Sequence, residues 1–574
     1  MKSKIFLPGV ITLLILLSGC EKLDRRMTTD LTADEVAKSW TYTQDRVASV
    51  YSSLQNGFIN IDGAMMASAT DEAEHTQETS AIQKFNYGSW NAVSNPDNVW
   101  AGYYQGIRKA NEFLSSSDSV NLDLYKFDPD QQDVYFSRLA TIKQWKYEVR
   151  FLRAFFYFEL VKRYGGVPII TKVYSLKDDY NNVKRDSLQK CIRFITSECD
   201  SCAANLPATY ANTDLGRVTK GAALSLKSRM LLYAASDLYN TPSWASGYDH
   251  PELISLTGDR AAKWQAAANA AKAVIDLGVY SLPSLSTTYT LFGASGFRNA
   301  EVIFCRRNGA SNSFESASFP VGYDMGNSGT TPSQNLVDDY EVKVNSTTSV
   351  PFDWNNPAMA ANPYATSGAT ARDPRLSNYI LTNNTDYMGR PVECWTGGRD
   401  GKGIAFATKT GYYLKKYVNS TLSLLTGQTA VHSWIFIRYA EVCLNYAEAL
   451  NECNPGNANI KTYVDNVRKR AGVAMPGLPS GLSQSQMRDA IRHERRIELA
   501  FEDHRFWDVR RWMTAPAVLG APLKGVEITK VDESTFNYNV ITVEDRVFQP
   551  KMYFYPIPQN EMIIDKGLVQ NPLW

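Results

Sequence analysis

Residues 491–512, IRHERRIELAFEDHRFWDVRRW, set six arginines and five carboxylates around Ile491, Ile497, Leu499, Phe501, Phe506, Trp507 and Trp512. Three chemistries compete for such a stretch. His493-Glu494 opens like the zinc-binding helix H-E-x-x-H, but Ile497 stands where the second histidine is needed, so a metal lacks its second imidazole. Glu494, Glu498 and Glu502 recur every four residues on one helical stripe, and paired carboxylates can cleave glycosidic bonds. The interleaved Arg492, Arg495, Arg496 and Arg505 keep carboxylates ionised, the wrong state for a general acid. A phosphate-binding helix needs a net positive field, and six charges against five leave almost none. Spacing and sign therefore favour a structural helix, cross-linked by arginine–glutamate pairs three and four residues apart and pinned by Phe506, Trp507 and Trp512.

Outward from this stretch, helical periodicity extends over 435–451, 459–471 and 486–512. Earlier in the chain it marks 99–114, 142–164, 186–206, 221–239 and 262–277. Gly165-Gly166 with Pro168 predicts a clean helix end, because glycine terminates a helix and proline cannot continue one. From 278 to 434 the periodicity vanishes into Gly, Asn, Ser, Thr and Pro, the composition of loops and short strands. Small and aromatic residues alternate in Tyr439, Ala440, Tyr446, Ala447 and Ala449, as in tetratricopeptide-like helical hairpins. The expected fold is mostly α: a helical-hairpin scaffold over 41–277 and 435–574, interrupted by an irregular, loop-rich subdomain with short strands at 278–434. Variable loops would then gather on one face, with binding loops near 60–98.

The N-terminus carries an address. Lys2 and Lys4 precede an apolar run from Ile5 to Leu17, too short for a bilayer span of about 20 residues. Leu17-Ser-Gly-Cys20 resembles a bacterial lipobox, so residues 1–19 are read as a lipoprotein signal peptide. Cys20 is then the acylated residue and 20–40 the lipidated tether, and acyl chains anchor without spanning. Seven cysteines remain. Cys199-Asp-Ser-Cys202 lacks a second pair at zinc spacing and continues a helical stripe with Leu188, Cys191 and Ile195, where cysteine acts as a small core hydrophobe. Cys305 and Cys394 lie in loop-rich sequence, within possible reach of each other. With 60 basic and 59 acidic residues in 574, the chain has no electrostatic case for nucleic acid as a partner.

Several segments together carry a resemblance. The stretch 492–512, RFLRAFFYFELVKRYGGVP at 150–168, RYAEVCLNYAEAL at 438–450 and VRKRAG at 467–472 occur in the order of the SusD/RagB family. So do DPRL at 373–376, YPIPQNE at 555–561 and QNP at 570–572. That family resembles this chain over nearly its whole mature length. It comprises surface nutrient-binding lipoproteins of Bacteroidetes. The resemblance implies about four helix pairs in a right-handed scaffold, and non-catalytic capture of oligosaccharide or polysaccharide. It implies transfer to a SusC-like TonB-dependent transporter, and an outer-membrane location through the lipid anchor, facing the cell exterior. It implies no cofactor; no D-x-D-x-D-G run argues for calcium, and no metal site is expected.

Sugar rings pair an apolar face with polar edges, so exposed aromatics flanked by Asp, Asn or Arg are the candidates. Trp100, Trp145, Trp264, Trp507 and Trp512 fall in helical patterns and are expected in the core. Trp90, Trp354 and Trp395 lie among Gly, Asn, Ser and Pro, where a tryptophan either meets ligand or pins its loop. For Trp354 pinning is the better reading. The expected ligand-binding set is Trp90, Asp71, Glu72, Tyr323, Arg372 and Trp395. Asp71 and Glu72 precede the Trp90 loop in a region that resembles glycan-facing loops of the family, and Arg372 offers a fork of donors to adjacent hydroxyls. Three alternatives stand beside this reading. Some family members take oligopeptides; a surface glycoside hydrolase could use Asp71, Glu72, Asp324 or Glu393; a purely structural scaffold would bind no glycan.

Overall fold

The computed structural model describes residues 32–175, 177–179, 181, 183–285 and 291–574. The signal peptide, Cys20 and the first part of the tether lie outside the described residues. Ten helices of eight residues or more occur among the described residues, numbered α1 to α10. α1 (Trp40–Tyr51) lies against α2 (Trp100–Ser116), and α3 (Gln132–Tyr164) against α4 (Leu188–Asn205). α5 (Lys220–Ala235) lies against α6 (Arg260–Ile275), and α7 (Tyr439–Cys453) against α8 (Ala458–Lys469). Between pairs, α2 meets α3, α4 meets α5 and α6 meets α7, so four helix pairs stack in series. α9 (Gln484–Glu498) closes on α7, and α10 (His504–Arg511) follows it.

The sequence explains the close stacking. α5, α6 and α7 meet through buried Ala222, Ala223, Ala267, Ala268, Ala271, Ala440 and Ala447, small side chains that let helix axes approach. α3 fills the groove it faces with Phe151, Phe155, Phe156 and Phe158, all fully buried. Each such ring contributes about 1.5–3 kcal/mol of burial. α3 ends at Tyr164 as its Gly-Gly-Val-Pro exit predicts. Gly165 takes φ +75°, and a Cβ there would strike the Leu253 carbonyl, so glycine is needed twice over.

The expected helices change at two places in the later chain. Residues 435–438 do not begin a helix: Ser433–Arg438 is a strand, paired antiparallel with Val302–Arg307, and α7 starts only at Tyr439. The apolar run there is a short strand buried on both faces, which periodicity alone does not separate from a buried helical turn. The second change is in the opening stretch, which is not one helix. α9 stops at Glu498, Phe501 and Asp503 take left-handed backbone (φ +63° and +62°), and α10 restarts at His504.

The irregular lobe has its own core, built around Phe292, Phe319, Tyr340, Tyr379, Tyr412 and Tyr413. It is not made from 278–434 alone. Phe58, Met65 and Ala73 enter it from the early loops, Ile497, Ala500 and Phe501 from the opening stretch, and Val526 and Ile528 from a late hairpin. That hairpin, Leu523–Lys530 with Phe536–Glu544, is a β-element inside the C-terminal part expected to be helical scaffold. Ala73–His75 pairs with Thr330–Pro332, stitching the early loops to the lobe. All seven cysteines after Cys20 are free, so Cys305 and Cys394 are not joined. Among the described residues no helix is long and apolar enough to cross a membrane.

Candidate ligand-binding face

The opening stretch is where scaffold and lobe are bolted together. Glu494 and Glu498 are wholly buried, and their partners come from far along the chain. Arg375, from the DPRL segment, bonds Glu494 at 2.5 Å, Glu498 at 3.0 Å and Asp373 at 2.7 Å. Arg438 bonds Glu301, Glu498 and Glu502 at 2.6–2.7 Å. Arg470 bonds Glu301 and Glu498, and Arg468 bonds Glu494 and Glu341. Burial would push the Glu498 carboxyl up, but the guanidiniums of Arg470, Arg438 and Arg375 outweigh it and hold the group well below the carboxylate range. The helix break uses the same cations. Arg438 donates to the Glu498 carbonyl at 2.7 Å and Lys416 to the Ala500 carbonyl at 2.8 Å, satisfying oxygens left free where α9 ends. The expected local pairing across one helix surface is therefore corrected: most pairs are tertiary and buried, with Arg511–Asp508 a local exception.

This frame consumes most of the residues expected to meet ligand. Asp71 is buried between Arg496 and Arg505, the latter at 2.8 Å. Glu72 beside it is 1% exposed; burial and the Asp71 charge push its carboxyl up to about 8. Trp90 is also 1% exposed, with ring centroids of Phe85, Tyr555 and Trp574 at 4.8–5.0 Å. It pins its loop to the C-terminal segment and offers no face to a sugar. Arg372 is buried and does not pair with Asp373. Its guanidinium donates to the carbonyls of Tyr340 (3.0 Å), Pro363 (2.6 Å) and Val337, and burial lowers its pKa to about 10. Trp354 donates from its indole nitrogen to Asp338 at 3.0 Å, the pinning role expected of it.

Tyr323 and Trp395 belong to neighbouring loops joined by one buried carboxylate. Asp400 accepts from Gly322 N at 3.1 Å, from Arg390 at 2.6 and 2.8 Å, and from Glu393 N at 2.9 Å. Arg390 lies 3.5 Å over the Tyr323 ring, and the Tyr323 hydroxyl donates to the Arg390 carbonyl. Tyr323 is thereby buried, a support rather than a contact. Trp395 remains half-buried, with the Lys530 ammonium 5.3 Å from its ring centre. Thr396 N donates to the Ile528 carbonyl and Lys402 pairs with Glu527, so the late hairpin backs this loop.

Around these loops stand apolar side chains that sequence reading missed: Met325 (72% exposed), Leu425 (69%), Phe406 (57%) and Ile404 (45%). The Asp324 carboxylate accepts from Leu424 N and Leu425 N, tying the Met325 and Leu425 loops together. Gly397 N donates to the Lys402 carbonyl, tying Trp395 to the loop that carries Ile404 and Phe406. Asp324, Met325 and Phe406 all take left-handed backbone, at φ +43°, +64° and +62°. Each such conformation costs about 1–3 kcal/mol, and it persists here on wired loops that turn apolar side chains into solvent. The loop acids offer no open catalytic pair. Asp324 holds backbone amides, and the Arg399 hydrogen bond brings Glu393 down to about 2. Among the described residues no cluster of His, Cys, Asp and Glu could hold a metal ion.

Comparison with known proteins now decides the family. A SusD family model matches residues 300–574, and a second model, described as starch-binding and associating with outer membrane, matches 23–232. The chain belongs to the SusD/RagB family. Its relatives include SusD-like protein P25 of Formosa agariphila, 22% identical with 98% of each chain covered. SusD-like protein P2 of the same organism is 32% identical, but over only 29% of this chain and 30% of that protein. A SusD-like protein of Bacteroides fragilis superposes with TM-score 0.76 at 25% identity, covering 94% of this chain and 98% of that one. A SusD-like carbohydrate-binding protein of the same species gives 0.73 at 24%, covering 93% and 100%. A laminarin-binding SusD-like protein gives 0.58 at 21%, covering 94% and 100%.

Proposed function

We propose that this SusD-like protein captures an oligosaccharide on the rim formed by Met325, Trp395, Ile404, Phe406 and Leu425, and passes it to a SusC-like TonB-dependent transporter. The observation that carries the reading is the rim itself: exposed apolar and aromatic side chains on loops with left-handed backbone, tied by hydrogen bonds to one another and to the late hairpin. Such groups cover the apolar faces of sugars, while neighbouring Lys402, Arg399 and Lys530 reach their hydroxyls. Family membership, a starch-binding family description and carbohydrate- and laminarin-binding relatives support glycan as the ligand class. Acylation of Cys20 would hold the protein to the outer membrane, with the rim turned outward. Binding proceeds without bond cleavage, since the loop acids Asp71, Glu72, Asp324 and Glu393 are all engaged in structural contacts.

Native affinity gels cast with a panel of neutral polysaccharides test this. Retardation of the protein by at least one of them, with no reducing ends released on prolonged incubation, is expected. Reducing ends accumulating with pure protein would make it a hydrolase. Free migration through every gel would leave only a scaffold role.

A further inference from the structure

Apart from the rim, two adjoining hollows open where α1, the 207–219 loop between α4 and α5, and the segment leading into the Val302–Arg307 strand meet. Their volumes are about 260 and 520 Å³, the larger within the size of small-ligand pockets, and both are walled by Arg217, Phe297 and Cys305. The lining carries Arg217, Arg298, Arg306 and Arg307, and no Asp or Glu. Arg217 is neutralised from behind by Glu148 at 2.7 Å and Asp214 at 3.1 Å. The other three make no ion pair among the described residues. Arg306 is anchored by donation to the Ser52 and Leu54 carbonyls, and burial lowers its pKa with no carboxylate to offset the loss of solvent. Arg298 and Arg307, both exposed, lie 5.0 and 4.8 Å from the centre of the Phe297 ring.

Two uncompensated guanidiniums, Arg298 and Arg307, flank the Phe297 ring, with the Arg306 guanidinium in the adjoining wall, and an anion would relieve the repulsion among them. Their planar forks match carboxylate and sulfate oxygens, while Phe297, Tyr210 and Tyr280 give the walls an apolar surface and Gln44 and Thr209 add neutral hydrogen-bonding groups. We infer that this groove is a second glycan site, selective for the anionic groups (uronate carboxylates or sulfate esters) of an acidic oligosaccharide. The inference rests on the glycan-capture reading above and adds to it a charge preference that the neutral rim lacks. Sugar is favoured over an acidic peptide because the charges flank a ring inside a groove instead of forming a flat field.

Isothermal titration calorimetry on the full chain tests the groove, with oligogalacturonate, sulfated carrageenan oligosaccharide and neutral laminarin oligosaccharide as titrants. Arg298→Gln/Arg307→Gln is the variant, since both side chains are exposed and their loss opens no core. An acidic oligosaccharide should bind wild type, lose roughly tenfold or more in affinity in the double variant, and weaken with added salt. Any neutral-oligosaccharide binding should be unchanged. The uronate and sulfate arms tell which anion the groove prefers. Acidic binding unaffected by the double substitution, or binding of the neutral sugar alone, overturns the groove and leaves glycan capture standing. Binding of none of the three overturns the groove, and glycan capture itself falls only if the protein also migrates freely through every gel of the polysaccharide panel. Direct binding of poly-glutamate, lost in the double variant and without any acidic-sugar binding, would overturn the glycan assignment and make the groove a protein-docking surface instead.

Discussion

Arg375 touches three carboxylates, none of them exposed to solvent, and its removal strands Glu494 and Glu498 in the core. Breaking a buried pair from one side costs about 3–5 kcal/mol, so Arg375→Met should lower the thermal midpoint sharply in scanning calorimetry. Glu72 behaves oppositely. Its carboxyl is raised from 4.5 to about 8, so between those values the unfolded chain releases a proton that the fold retains. Stability contributed there falls as pH rises through that window. Glu72→Gln should therefore raise the midpoint by roughly 2 °C or more at pH 8 and by little at pH 4.5. At this scale the sequence misled most about Trp90. Its neighbours Gly88, Ser89 and Asn91 read as an exposed loop, because Tyr555 and Trp574, which cover the ring, lie more than 400 residues away. Trp90→Phe should lower the midpoint and leave glycan affinity within twofold, as a core substitution does.

At the scale of elements, apolar periodicity located the helices that became α2 to α6: α2 and α4 bury one stripe against a neighbour, whereas α5 and the second half of α3 are buried nearly all round. It missed the first turns of α3, whose Phe136 and Leu139 face solvent and break the stripe. It also carried the opening stretch through as one helix, since nothing local forces a break at 499–503. The break is tertiary: the lobe core takes Phe501, and cations from Arg438 and Lys416 complete the end of α9. The Gly165 exit is the contrary case, legible because the constraint is local. Gly165→Ala adds a Cβ against the Leu253 carbonyl at positive φ and should cost about 1–3 kcal/mol, read as a lowered denaturation midpoint.

For the whole molecule, the helix pairs and the irregular lobe share an interface of buried charge, where Arg375 of the lobe meets Glu494 and Glu498 of α9. The family and the two-part architecture were legible because their motifs are structural: DPRL supplies Arg375, and the 491–512 stretch supplies the carboxylates it meets. The rim was not legible, because Met325, Ile404, Phe406 and Leu425 stand singly in loops and only the fold gathers them. Attachment belongs to this scale too. With Cys20 proposed as the acylated residue, a Cys20→Ala protein should shift from the membrane fraction toward the soluble one on cell fractionation. The most direct test of capture at the rim is calorimetry with a neutral oligosaccharide that retards the wild-type protein in gels. Trp395→Ala/Phe406→Ala should weaken that binding by about tenfold or more while the thermal midpoint moves little. Undiminished affinity in this double variant would contradict the rim as the binding face.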